Sequence, residues 1–94
     1  MTKADIVDRI ALSTGISKTE TAAIVNGFLT CIVEALKQNK HIEIRGFGTF
    51  KVVKRASRVA RNIKTGQQIR LPERYLPVFK PSKQLRSLVE EQQT

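Results

Sequence analysis

The chain has 94 residues, a length that suits one small domain and excludes multi-domain machinery. Seventeen Lys and Arg against eight Asp and Glu leave a net charge of +9, yet 40% of the residues are hydrophobic, too many for a disordered basic tail. A folded, strongly basic domain is expected. The single cysteine cannot form an intrachain disulfide, and no run approaches the ~20 apolar residues of a membrane span. The opening Met1-Thr2-Lys3-Ala4-Asp5 lacks a signal peptide's apolar core, so the cytoplasm is the expected location and no membrane partner is expected.

The charge is unevenly placed. Residues 1–44 hold five basic and five acidic residues and balance to zero. Residues 45–86 hold twelve basic residues against the lone Glu73, an excess of eleven, before Glu90 and Glu91 close the chain. The first half reads as scaffold, the second as the surface for a polyanion. A solvated basic face is the plainer alternative.

Two helices open the chain, each marked by a hydroxyl three residues before an acid: Thr2 with Asp5, and Ser17 with Glu20. The first presents Ile6, Val7, Ile10 and Ala11 and stops at Gly15, which accepts a left-handed conformation without steric cost. The second stops at Asn39. On a helical wheel its Ile24, Val25, Phe28, Leu29, Cys31, Ile32, Val33, Ala35 and Leu36 fill an arc of roughly 200°, about twice what one contact face requires. That excess predicts an obligate dimer joined through this helix. Cover by the first and third helices of the same chain is the alternative.

From His41 the period changes to two. His41–Ile44 and Gly46–Val53 read as strands joined by a tight turn at Arg45-Gly46, and Arg74–Lys80 as a third strand, placed at an edge by Pro77. Phe47, Phe50 and Phe79 are expected in the core with Phe28, Leu29 and Ile32 of the dimer. Ser82 caps a last helix through Val89, with Leu85, Leu88 and Val89 facing inward. Between the second and third strands, residues 54–73 contain few core-forming side chains. With a turn at Lys64-Thr65-Gly66-Gln67 they are expected to form a long projecting hairpin, ordered or awaiting a ligand. Arg55, Arg58, Arg61 and Lys64 recur every third residue, which in a strand puts cations on both faces, as a groove flanked by phosphates requires.

Catalytic parts are not assembled by this pattern. His41 and Cys31 are the sole histidine and cysteine, so one chain supplies neither a zinc site nor a Cys/His pair. Asp5 and Asp8 read as first-turn acids answering the helix dipole, balanced by Lys3 and Arg9, not as holders of catalytic magnesium. No enzyme, cofactor, metal or small-molecule substrate is expected. RNA or general nucleic-acid binding without bending is the alternative function.

Gly46-Phe47-Gly48-Thr49-Phe50, then Arg55, Arg58 and Ala60, then Arg61-Asn62-Ile63-Lys64-Thr65-Gly66, then Pro77-Val78-Phe79-Lys80-Pro81, together resemble the bacterial HU and integration host factor family along essentially the whole chain. The resemblance implies an α+β intertwined dimer. A helical body carries a three-stranded antiparallel sheet that extends into a β-ribbon arm, all one domain over 1–94 with the body at 1–53 and 74–94 and the arm at 54–73. It implies nucleoid-associated architectural binding to double-stranded DNA, the arms entering the minor groove and bending the duplex. The working species is a homodimer or a heterodimer with a related subunit.

The residues expected at DNA are Lys3, Arg45, Lys51, Arg55, Arg58, Arg61, Asn62, Ile63, Lys64, Arg70, Arg74, Lys80, Ser82 and Lys83. The chain departs from the family in three places. Ile63 stands where a wedging proline is usual, Ser82 where glycine is usual, and Val59-Ala60 make the arm more apolar. Ile42-Glu43-Ile44-Arg45 leans toward an integration host factor subunit. Arg45 is expected either at a minor-groove edge or at a phosphate beside the body.

Overall fold

The computed structural model describes residues 1–93, in the order α1 (Lys3–Thr14), α2 (Lys18–Lys37), β1 (Ile42–Ile44), β2 (Gly48–Arg55), β3 (Arg58–Arg61), β4 (Gln68–Leu71), β5 (Arg74–Pro81) and α3 (Lys83–Gln93). Its contacts divide into two units, Met1–Ala35 and the chain from Leu36 onward, the boundary falling inside α2.

In the first unit the helix signals act as local chemistry requires. Thr2 accepts from the Asp5 N–H at 3.3 Å while the Asp5 carboxylate accepts from the Thr2 N–H at 2.8 Å, a closed capping box. Gly15 ends α1 at φ 77°, its N–H donating to the Ala11 carbonyl. At α2 only half of the expected box forms: Ser17 Oγ accepts from the Glu20 N–H at 3.1 Å. Asp8 pairs with Lys18 at 3.4 Å, not with its neighbour Arg9, because α2 brings a lysine across from it. Asp5 serves the cap, not Lys3. Lys3 instead donates from Nζ to Asn26 Oδ1 at 2.8 Å.

Burial is scant. Val7 and Ala11 are the only buried hydrophobic residues among those described. Along α2, Val25, Ile32 and Leu36 are half-covered while Ile24, Phe28 and Cys31, spaced i, i+4 and i+7, form an exposed strip. Phe28 is 52% exposed and Val33 51%. The single chain therefore does not cover the arc by itself. By length and composition α2 is also apolar enough to cross a membrane, although Asn26, Thr30 and Glu34 interrupt its apolar run.

In the second unit Asn39 closes α2 at φ 58°, its N–H donating to the Leu36 carbonyl. The sheet runs β1-β2-β5, entirely antiparallel, with Phe50 opposite Ile42 on one side and Phe79 on the other. Gly46 (φ 80°) makes the β1–β2 turn, closed by the Phe47 N–H on the Ile44 carbonyl at 2.9 Å. Pro77 sits on the edge strand β5, as its missing N–H demands. Phe47, Phe50 and Phe79 form one aromatic cluster.

The arm differs from a simple extension of the sheet. β3 and β4 form a separate two-stranded ladder, divided from β2 and β5 by Ala56-Ser57 and Pro72-Glu73. Pro72 cannot donate to a ladder, which explains the break on that strand. α3 begins as expected, Ser82 Oγ accepting from the Leu85 N–H at 3.0 Å, but runs to Gln93 because Glu90–Gln93 are good helix formers. Leu88 and Val89 do not face inward within this chain: both are exposed.

Candidate nucleic-acid interface

The strand pleat sorts side chains by face. On the sheet, Ile42, Ile44, Phe50, Val52, Pro77 and Phe79 share one side, whereas Lys51, Arg55, Arg74 and Lys80 share the other with Glu43, Thr49, Val53, Leu76 and Val78. Four of the sequence-nominated cations thus stand on one face because their positions differ from Phe50 or Phe79 by an odd number of residues. Gly48 has no side chain for a physical reason. A Cβ there would lie 2.5 Å from Phe79 Cζ and 2.6 Å from the Lys80 carbonyl oxygen.

The arm carries cations on both of its sides. Arg58 shares a face with Ala60, Ile69 and Leu71; Arg61 and Arg70 share the opposite face with Val59 and Gln68. The tip is built by local hydrogen bonds. The Asn62 N–H and the Gln67 carbonyl pair at 2.8 Å, the Asn62 carbonyl accepts from Gly66 (φ 71°), and Asn62 Oδ1 accepts from the Lys64 N–H at 3.0 Å. Thr65 Oγ1 accepts from the Gln67 N–H. With polar neighbours turned back on the backbone, Ile63 stands 99% exposed at the apex.

Two hollows gather the remaining candidates. Arg45, Lys80, Ser82 and Lys83 line one of about 410 Å³ at the N-terminus of α3, where unsatisfied N–H groups and the helix dipole favour an anion. Glu43 lies at its rim. Arg55, Arg58 and Arg74 line a second, of about 230 Å³, at the root of the arm. Lys3 belongs to the first unit, in the first turn of α1. Sequence reasoning passed over Lys54, which pairs with Glu73 at 3.4 Å beside the same root, on the aromatic side of β2. The signal was available, since Glu73 is the only acid between residues 45 and 86.

A two-faced sheet with a basic hairpin arm and cation-lined hollows defines an arm-bearing α+β domain built to meet a polyanion. Comparison with known proteins agrees. The family described as "Bacterial DNA-binding protein" matches residues 1–90, and the chain belongs to that family. It is 41% identical to integration host factor subunit beta of Idiomarina loihiensis over 96% of this chain and 97% of the relative. It is 42% identical to the SPbeta prophage-derived DNA-binding protein HU 2 of Bacillus subtilis, over 95% and 97%. The solved HU of Anabaena in cocrystal with DNA matches at TM-score 0.87 and 30% identity, covering 95% of this chain and 97% of that one. Relatives named for both HU and integration host factor thus match alike, and the fold is the expected HU-like α+β arrangement.

Proposed function

We propose that this chain is an architectural protein of bacterial DNA. Two copies form a dimer, each arm enters the minor groove of a duplex, and the duplex bends around the body. The arm carries the reading: a ribbon with guanidinium groups on both sides, rooted in a cationic sheet face and ending in an isoleucine exposed almost completely. Charge on both faces suits a ribbon lying in a groove with phosphate on either hand, and an apolar apex suits insertion between base pairs. The Anabaena relative is solved with DNA, which supports the choice of partner.

In this reading Lys3, Arg45, Lys51, Arg70, Lys80 and Lys83 meet the phosphate backbone around the body and arm, with Ser82 donating from the α3 cap. Arg55, Arg58, Arg61, Lys64 and Arg74 meet the phosphates and walls of the groove along with Asn62, and Ile63 wedges. Phe28, Leu29 and Ile32 of α2, with Phe47, Phe50 and Phe79, form the shared core of the dimer. The exposure of Phe28, Leu29, Phe47 and Phe79 in one chain supports this, as does the word "subunit" in the name of the Idiomarina relative. The whole of 1–94 works as one domain with its arm at 54–73, in the bacterial nucleoid, and binding involves no catalytic step.

Competition at matched salt tests it. Duplex DNA is expected to displace a labelled duplex at lower concentration than double- or single-stranded RNA does, with log K falling by about 0.9 per neutralised phosphate as log salt rises. Equal competition by RNA, or a flat salt response, contradicts the proposal.

A further inference from the structure

We infer that the root of each arm is a seat for a single phosphate group, held jointly by Arg55, Arg58 and Arg74. This rests on the reading of the arm as a duplex-binding element and goes beyond it, since separate arginines along a strand would ordinarily meet separate phosphates.

The geometry is specific to the break between the two ladders. Arg55 and Arg74 stand directly opposite each other as the last pair of β2 and β5, an arrangement of like charges that is unfavourable on its own. Arg58 opens the next ladder three residues further along, opposite Leu71. All three line the one hollow of about 230 Å³, floored by Leu71, Pro72 and Leu76. Among the described residues none of the three has an anionic partner. The acid closest in sequence, Glu73, is engaged by Lys54, which the pleat assigns to the other side of β2.

Three arginines lining one hollow without a counter-charge are matched by a doubly or singly charged oxyanion, whose several oxygens accept the parallel N–H donors that arginine presents. One phosphate there touches both ladders, so its binding fixes the direction of the arm relative to the sheet strands from which it springs.

The test uses the full chain, wild type and with Arg55→Gln, Arg58→Gln and Arg74→Gln combined. The slope of log K for a duplex against log salt is expected to fall in magnitude by about 1.8 for a dimer, one phosphate per arm, whereas three independent contacts per arm give about 5.4. In parallel, inorganic phosphate is titrated against chloride at constant ionic strength while the side-chain NMR signals of the three arginines are followed. A joint seat moves all three with one midpoint. That joint movement with an unchanged duplex slope assigns the seat to free phosphate instead of the DNA backbone. A slope loss near 5.4, or signals that stay still or move with separate midpoints, overturns the joint seat. If the wild type shows no salt-dependent duplex binding, the functional reading fails by itself, and the phosphate titration still decides the seat.

Discussion

Phe79 stands directly across the β2–β5 ladder from Phe50, with ring centroids 4.7 Å apart and planes at 45°, and Phe47 closes on Phe79 from 5.3 Å. Tilted pairs of this kind exceed simple area burial in value, and here they form the centre of the sheet's apolar face. Phe79→Ala is expected to lower unfolding free energy by about 3–5 kcal/mol. Gly48→Ala is expected to cost about 1–3 kcal/mol, because the added Cβ meets the Lys80 carbonyl as well as the ring, and a ladder carbonyl cannot step aside. Chemical denaturation at one fixed protein concentration reads both. A neutral Gly48→Ala contradicts the close approach.

With only Val7 and Ala11 buried as apolar core among the described residues, folding and association are expected to be one event. The thermal midpoint should rise with protein concentration over the micromolar range. Phe28→Glu should leave an unfolded chain, because it puts a charge into the α2 strip proposed as the shared core. A Phe28→Glu protein that sediments as a folded monomer rules the shared core out.

Lys3 is held at 2.8 Å by Asn26, a neutral amide, while the nearby Lys18 is neutralised by Asp8. If Lys3 meets a phosphate as proposed, it does so with no acid paired to it among the described residues and its side chain already oriented. Asn26→Asp converts this contact into an ion pair. Duplex affinity should drop, and the salt slope should lessen by up to about 1.8 across a dimer. Asn26→Ala, which removes orientation but not charge, should weaken binding slightly and leave the slope unchanged. Identical slopes in wild type and Asn26→Asp show that Lys3 meets no phosphate.

At the arm tip, Ile63→Ala should reduce the bend of a bound duplex and weaken binding by at most a few kcal/mol, since unstacking is no longer offset by inserted surface. Ile63→Pro should preserve the bend. Proline also fixes φ and removes an N–H that has no hydrogen-bond partner among the described contacts. Bend and affinity unaffected by alanine make Ile63 a bystander and leave bending to charge neutralisation alone.

Much of this was legible in the sequence because the signals were local. Thr2 with Asp5 and Gly15 mark both ends of α1 through bonds spanning three or four residues, and Pro77 announced an edge strand through its own missing donor. The hairpin was readable because Thr65-Gly66 and the polar flanks left no other packing. What escaped depends on chain partners distant in sequence. The Asp8–Lys18 pair follows from how two helices meet, and the exposure of Leu88 and Val89 from how little one chain covers. The break at the arm root lay in between. Pro72 was visible, but that Arg55, Arg58 and Arg74 line one hollow there depends on how two separate ladders meet.

The most direct measurement is the end-to-end distance of a short duplex, followed by energy transfer between dyes at its two ends. It compares the full chain with a variant whose residues 56–73 are replaced by a tight glycine turn joining Arg55 to Arg74, which already face each other at the end of their ladder. The full chain is expected to shorten the distance sharply on binding, and the armless chain, still folded through its aromatic cluster, to bind weakly and leave the duplex straight. A duplex that stays straight with the full chain, or bends equally with the armless one, contradicts the account.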